Sequence, residues 1–173
     1  MHITFLLPLG SINPSGGYKV VFEYANRFAT DGYDVSIVYP AYSFKFNESR
    51  VVAFLRRCKA LIRYFVWGLT KKYSGRKWFD LDERVKERWM WSLACRLPSS
   101  DAYVATAVAT SVYLQRHAEI PVEKKFYLIQ HFEKWGGATI ENVLCTYRYP
   151  IRKIVIARWL EKIFQEVGEE CVL

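Results

Sequence analysis

The first forty residues limit the fold most, because they read as a strand, a glycine loop, a helix and a second strand. Residues 2–7 form a short apolar run, and a loop rich in Pro, Gly and Ser follows over 8–17. Apolar side chains then recur at helical spacing, at Val21, Tyr24, Ala25 and Phe28. A second apolar run covers 34–39, and Pro40 closes it. A strand, a helix and a strand of this length predict two neighbouring parallel strands.

The same alternation continues along the rest of the chain. Further strands are predicted at 85–91, 102–106, 125–130 and 153–157. The first of these alternates in polarity and suits a sheet edge. Helices are predicted at 51–69, at 110–117, in a segment ending near 146, and at 158–167. The predicted fold class is α/β, with residues 1–173 as one Rossmann-like domain: an open, mostly parallel sheet with helices on both faces.

Composition limits the class of protein further. Half of the residues are hydrophobic and 17% are aromatic, which argues against a disordered chain. The four cysteines are far apart and form no C-x-x-C pair, so neither a disulfide framework nor a zinc site is expected. The first residues lack the basic start of a signal peptide, and no uncharged apolar run is long enough to span a membrane. We therefore expect a cytoplasmic protein.

The loops that follow the carboxyl ends of the strands should form the functional site, because ligands of open parallel sheets bind there. In the first of these loops, Gly16 and Gly17 open the first helix and leave its amides bare, with Ser15 as a candidate cap. This arrangement suits an anion, usually a phosphate, although the glycines would also serve a simple tight turn. A dinucleotide-binding dehydrogenase is excluded, because the glycine spacing differs and Tyr39 precedes Pro40 where an acid is required.

The loop after the 125–130 strand carries the side chains best suited to proton transfer or ligand binding. His131 and Glu133 follow Gln130 directly after a buried strand. An imidazole exchanges a proton near neutral pH, and a carboxylate orients it or binds a sugar hydroxyl. The alternative is that His131 only ties the loop to a backbone carbonyl.

The positive charge of the chain is concentrated in one segment. The net charge is +8, yet the segment 50–79 holds nine basic residues and no acidic one. The nine are Arg50, Arg56, Arg57, Lys59, Arg63, Lys71, Lys72, Arg76 and Lys77. Such a segment requires its own explanation.

The predicted helix 51–69 within this segment has an apolar stripe flanked by basic residues. The stripe consists of Val51, Phe54, Leu55, Cys58, Leu61, Ile62, Phe65, Val66 and Leu69. It suits a helix lying on an anionic membrane, with Arg56, Arg57, Lys59 and Arg63 as the membrane-binding residues. The alternative is an ordinary surface helix that packs on the sheet through the same stripe. Nucleic acid is not expected, because the aromatic residues fall on the apolar face.

Several motifs together resemble the N-terminal half of family 4 glycosyltransferases of the GT-B fold. They are Gly16-Gly17, the turn 31–35, the strand 101–106, the run 126–133, and the segments 146–150 and 156–160. The chain is most similar to the subgroup that builds bacterial rhamnose-containing or related surface polysaccharides. It departs from the family at Ala157, where a serine is common.

The resemblance implies a metal-independent, retaining transferase that uses a nucleotide sugar as co-substrate and no cofactor. It implies that this half mainly binds the acceptor, a glycan or a lipid-linked glycan, and that Gly16 and Gly17 approach the donor diphosphate. His131 is then the catalytic residue, and Gln130, Glu133 and Arg158 are substrate-binding residues. The family's second domain, which holds the nucleotide, is expected to lie outside these residues, so this piece alone should be inactive. Attachment to the inner face of the membrane would fit such a role.

A different class of protein remains open at this point. A free-standing flavodoxin-like α/β binding module would share the alternating pattern of strands and helices. However, the first loop has few of the Ser and Thr residues that a flavin phosphate requires, and a response regulator would need clustered acids after its first strand.

Overall fold

A computed structural model describes residues 1–10, 13–70, 73–134 and 137–173 of the chain. Six residues of the chain lie outside the described residues. They are Ser11 and Ile12 of the first loop, Lys71 and Lys72 of the basic segment, and Trp135 and Gly136 of the loop after residue 130.

The described residues alternate between strands and helices, as the sequence predicts. The strands are β1 (His2–Leu6), β2 (Asp34–Tyr42), β3 (Lys86–Ser92), β4 (Ala102–Ala105), β5 (Lys125–Ile129) and β6 (Arg152–Val155). The helices are α1 (Gly16–Thr30), α2 (Arg50–Thr70), α3 (Val108–Arg116), α4 (Ile140–Tyr147) and α5 (Arg158–Val167). Helix α3 begins two residues before its predicted start, and α1 ends where predicted, with Gly32 at φ +87°.

The six strands form one sheet in the order β3-β2-β1-β4-β5-β6, and every described pairing is parallel. Strand β1 lies at the centre, where Ile3 is opposite Val35 on one side and Ala102 on the other. This order is that of a doubly wound Rossmann-like sheet, whose direction of winding reverses between β1 and β4. The fold class predicted from the sequence is confirmed. The order differs from that of flavodoxin-like sheets.

Two hydrophobic cores lie on the two faces of the sheet. Alternating side chains send Phe5 to one core and Leu6 to the other. The first core packs Val21, Phe22, Ala25 and Ala29 of α1 on the sheet. The second core packs α3, α4 and α5, with Tyr147 and Phe164 fully buried. These helices hold the ends of the central strands, and the loops that follow them, in fixed positions.

Helix α2 packs on β2 and β3 with the side opposite to its apolar stripe. Its buried residues are Ala60 and Trp67, whereas Phe65 is 69% exposed and Leu69 is 88% exposed. The apolar stripe therefore faces solvent, and the alternative in which it packs on the sheet is wrong. Nevertheless, no helix among the described residues is both long and apolar enough to cross a membrane.

Candidate functional site

A pocket of about 530 Å³ lies at the carboxyl ends of β1, β4, β5 and β6. Its lining residues come from the loops that follow these strands and from the start of α1. They are Leu7, Pro8, Ser15, Gly16, Gly17, Tyr18, Val20, Thr106, Ala107, Gln130, His131, Glu133 and Ile156. The pocket includes the point between β1 and β4 where the winding of the sheet reverses, which is where ligands of such sheets bind. The predicted site residues Gly16, Gly17, Gln130, His131 and Glu133 are thus brought together.

The glycine pair forms one wall of this pocket. Within the described residues, no acceptor takes a hydrogen bond from the amides of Gly16 and Gly17, and the Ser15 side chain makes no cap bond. A β-carbon on Gly16 would meet no atom within 4 Å, so this position faces open space. The Gly17 carbonyl accepts a hydrogen bond from Nε2 of Gln130 at 3.2 Å, which ties the first loop to the end of β5. The wall therefore offers two backbone donors at the positive end of a helix.

Glu133 is a buried carboxyl group at the opposite side of the pocket. Its side chain is 9% exposed, and Oε2 accepts a hydrogen bond of 2.8 Å from the Val108 amide at the start of α3. Burial raises the pKa of Glu133 to about 7, although the Val108 hydrogen bond opposes this shift. Glu133 can therefore donate or accept a proton near neutral pH. It does not hydrogen-bond His131 in the described structure, so its expected role in orienting the imidazole is not observed.

Three tyrosines surround Glu133, and sequence reasoning did not select them. The Tyr18 side chain lines the pocket, and its hydroxyl donates to the Leu9 carbonyl. Burial, followed by the Glu133 charge, raises the pKa values of Tyr127 and Tyr147. The Tyr147 hydroxyl is buried without a hydrogen-bond partner among the described residues. No local sequence pattern marks these three tyrosines as site residues, because buried aromatic side chains are equally typical of a core.

The start of α3 is already occupied by side chains. Oγ1 of Thr110 accepts hydrogen bonds of 2.9 Å from the amides of Thr106 and Ala107, and Glu133 takes the next amide, that of Val108. An anion in the pocket would therefore meet the donors of Gly16 and Gly17 rather than the amides of Thr106, Ala107 and Val108.

His131 lies at the exposed rim of the pocket. Its Nδ1 lies 3.1 Å from the Phe132 carbonyl, and its ring contacts Trp159 edge to face, with centroids 5.7 Å apart. The predicted substrate residue Arg158 begins α5 with an exposed side chain, and it is not among the described residues that line the pocket. Trp159 thus contacts the candidate catalytic residue, whereas Arg158 lies beside it in the chain.

The structure divides the four predicted membrane-binding residues into two pairs. Arg56 lies on the inner side of α2, where it pairs with Glu48 at 2.8 Å, and Arg63 lies over the Tyr73 ring. Arg57 and Lys59 are exposed. Arg57 and Lys59 are therefore the more exposed pair, although the Arg57 guanidinium also lies over the Tyr42 ring, 5.4 Å from the ring centroid.

Two further observations bear on the chemistry of the chain. No group of three or more His, Cys, Asp or Glu residues in the described part of the chain could hold a metal ion. Comparison of the sequence and structure with protein-family models, with curated proteins and with solved structures gave no match.

Proposed function

We propose that this domain is the acceptor-binding half of a retaining glycosyltransferase that uses a nucleotide sugar and acts in cell-surface polysaccharide or glycan synthesis. The observation that carries the proposal is the meeting of the glycine loop with the 130–133 loop in one pocket. The pocket volume lies within the range of small-molecule sites, and its polar groups suit a ligand that has both an anionic part and hydroxyl groups.

The glycine wall supports a role beside the donor diphosphate. Gly16 and Gly17 present backbone donors with no protein acceptor among the described residues, at the start of a helix of 15 residues. Helix starts of this kind favour phosphate oxygens through their amides and through the helix dipole. A side chain at Gly16 would extend into open space that a ligand could otherwise use.

The opposite wall supports sugar recognition and catalysis. His131, at the rim, would contact the transferred sugar or the acceptor, where an imidazole stabilises charge or moves a proton. Glu133, whose pKa is about 7, would hydrogen-bond a sugar hydroxyl as donor or as acceptor. Gln130 would bridge the two walls, because it already binds the Gly17 carbonyl. A nucleotide-sugar domain outside these 173 residues would close the cleft and exclude water.

Transfer assays with the complete gene product test this proposal. Nucleotide sugars with different bases and sugars are offered together with lipid-linked and free glycan acceptors, and products are identified by mass spectrometry and anomeric NMR. We expect one donor to give a product with retained configuration. The proposal fails if no nucleotide sugar is consumed with any acceptor.

The His131→Ala variant tests the catalytic assignment. It should lower kcat by roughly a hundredfold or more, as is usual for a lost acid–base or charge-stabilising group. Folding stability should change little, because the side chain is exposed. Lys134→Ala is the matched control, since Lys134 is an exposed neighbour in the same loop and is not among the described pocket residues. Equal kinetics for the two variants would return His131 to a structural role in its loop.

A further inference from the structure

Helix α2 presents a continuous apolar surface to solvent along its whole length of 21 residues. We call this surface, together with the cationic side chains Arg57 and Lys59 on its two margins, the outer face of α2. Its large side chains are Val51, Phe54, Leu55, Leu61, Ile62, Phe65 and Leu69. Each of these is at least 47% exposed. At 1.5 Å per residue the helix is about 32 Å long. The exposed apolar side chains therefore form a contiguous patch, and they are not the single, scattered hydrophobic residues that are normal on a protein surface.

The opposite side of α2 is firmly attached to the domain. Trp67 is 1% exposed and packs on the Trp89 ring of β3 and on the Tyr73 ring. Nη1 of Arg56 binds both carboxylate oxygens of Glu48 at 2.8 Å, and Nη2 donates to the Ser43 carbonyl at 2.9 Å. These contacts fix the rotation of the helix about its axis, so the outer face cannot turn inward without breaking them.

The charges beside the outer face all have the same sign. On a helical wheel Lys59 borders the apolar surface on one side, and Arg57 and Arg50 border it on the other. No acidic residue occurs from Arg50 to Phe79. A solvent-facing helix usually mixes both signs, whereas a helix in the interface of a bilayer combines an apolar face with flanking Lys and Arg.

We propose that the outer face of α2 inserts into the interface of an anionic lipid bilayer, with Arg57 and Lys59 at the level of the headgroups. A protein partner is less well supported, because a docking surface with only positive charge at its margins would require an acidic rim on one specific partner. An anionic membrane supplies that negative charge along the whole helix. The proposal does not depend on transferase activity.

Both ends of α2 are linked to loops that border the candidate site. Near its carboxyl end, a β-carbon on Gly10 would lie 2.8 Å from the Trp67 ring, so α2 touches the loop that leads to the glycine pair. Before its amino end, Nδ2 of Asn47 donates to the Gly137 carbonyl at 3.1 Å. A membrane held by α2 would therefore lie beside the carboxyl edge of the sheet, where the pocket opens.

Vesicle sedimentation with the chain of residues 1–173 tests the proposal. The vesicles contain phosphatidylcholine alone or mixed with anionic phosphatidylglycerol. We expect binding to the anionic vesicles that weakens as ionic strength rises from roughly 0.01 to 1 M, since the screening length falls from about 30 to about 3 Å. The double variant Arg57→Glu, Lys59→Glu should bind at least thirtyfold more weakly at low salt, because each lost basic residue removes about a fivefold gain near the surface and each glutamate adds repulsion.

Two further double variants separate apolar insertion from general charge. Ile62→Ser with Phe65→Ser should lower binding at least tenfold at every ionic strength, because it removes inserted apolar area. Arg148→Glu with Lys162→Glu is the matched control, with the same change in net charge on exposed side chains of the α4 and α5 region. This control should bind nearly as well as the wild type. Circular dichroism and urea unfolding check that each variant is folded.

Cys58 gives a direct measure of insertion, because it is an exposed free thiol on the outer face of α2. An environment-sensitive dye is attached there in a variant that has serine at the other three cysteine positions. The control is a second variant that retains only Cys145 and carries the same dye there. Cys145 is an exposed thiol of α4, near the other end of the sheet. On anionic vesicles the Cys58 dye should shift to the blue and be quenched by lipid-borne quenchers, and the Cys145 dye should not.

Three results would overturn the proposal. The first is the absence of sedimentation with anionic vesicles. The second is equal binding by the wild type and the two α2 variants. The third is a concentration-dependent dimer, seen by ultracentrifugation, that the Ile62→Ser, Phe65→Ser variant dissociates while vesicles remain unbound; this would assign the outer face to a second copy of the chain.

Discussion

At the scale of the single residue, Glu133 has the clearest consequence for stability. Burial raises its pKa from 4.5 to about 7, so the folded protein holds a proton on Glu133 that the unfolded chain has lost at intermediate pH. The folded state binds more protons there, so the contribution of Glu133 to the free energy of unfolding is full below pH 4.5. That contribution falls as pH rises to about 7, by about 3 kcal/mol in all.

The Glu133→Gln variant tests this consequence. Glutamine retains an oxygen for the Val108 amide but does not ionise, so the variant should be more stable than the wild type at pH 8 by up to about 3 kcal/mol. The difference should shrink towards pH 4.5. Urea unfolding at a series of pH values measures it, and Glu141→Gln, at an exposed position in α4, is the control. Wild-type and Glu133→Gln curves that run parallel with pH would contradict the assignment.

Five of the six predicted site residues line the pocket and Arg158 does not, and the sequence did not predict which bonds these residues make. Gly16, Gly17, Gln130, His131 and Glu133 were expected together because each follows a strand at the same edge of the sheet. The Glu133–Val108 hydrogen bond joins residues 25 positions apart and depends on how α3 starts after β4. The local pattern of apolar and polar residues carries no information about a contact between residues so far apart in the chain.

At the scale of the element, the loop before α2 and the loop before α4 are held together at one glycine. Gly137 has φ +79°, and a β-carbon there would lie 2.3 Å from the Phe46 carbonyl oxygen. Gly168, at the end of α5, has φ +72° but no atom within 4 Å of the corresponding position. The two glycines therefore share a left-handed backbone conformation, in which only an added side chain would be strained, and they differ in their contacts.

Alanine substitution at these two glycines should separate the two effects. Gly168→Ala should cost about 1–2 kcal/mol of unfolding free energy, from the left-handed backbone alone. Gly137→Ala should cost about 1–3 kcal/mol more, because the Phe46 backbone must move. Denaturant unfolding measures both values. Equal losses of unfolding free energy for the two variants would mean that the loops containing Phe46 and Gly137 move apart at no cost in free energy.

The orientation of α2 shows where periodicity reaches its limit. Spacing identified the apolar stripe and the helix bounds to within one residue at each end. It could not show which side faces the sheet, because Trp67, Ala60 and the neutralised Arg56 make an inner face that does not look apolar in sequence. The pairing of Arg56 with Glu48 is what makes that inner face possible.

At the scale of the whole molecule, we expect residues 1–173 to fold cooperatively but to bind nucleotide sugars weakly. Two buried cores cover the sheet, which is enough for an independent domain. The glycine wall offers amides to a diphosphate, and the described pocket presents no evident cradle for a base or ribose. Dissociation constants should therefore be about 1 mM or weaker, or about 4 kcal/mol of binding.

Titration calorimetry of this chain with a panel of nucleotide sugars measures that affinity, and a single urea transition seen by fluorescence and circular dichroism checks the fold. Micromolar binding, or transfer by this chain alone, would mean that it is a complete functional unit.

The fold itself was predictable because alternating strands and helices permit few topologies. The strand order required the structure, since β1 pairs with a strand about 100 residues away.

The distant pairing of β1 with β4 means that, during synthesis on the ribosome, β1 is made long before its partner strand. Strand β1 is made first, and its neighbour β2 follows within about forty residues, but β4 arrives only after residue 101. At roughly 5–20 residues per second, the centre of the sheet keeps one open edge for about 5–20 s. An unpaired apolar edge is a template for wrong pairing. The speed of translation and the chaperones near the tunnel exit therefore govern how often β1, the strand beside the pocket, pairs wrongly before β4 is synthesised.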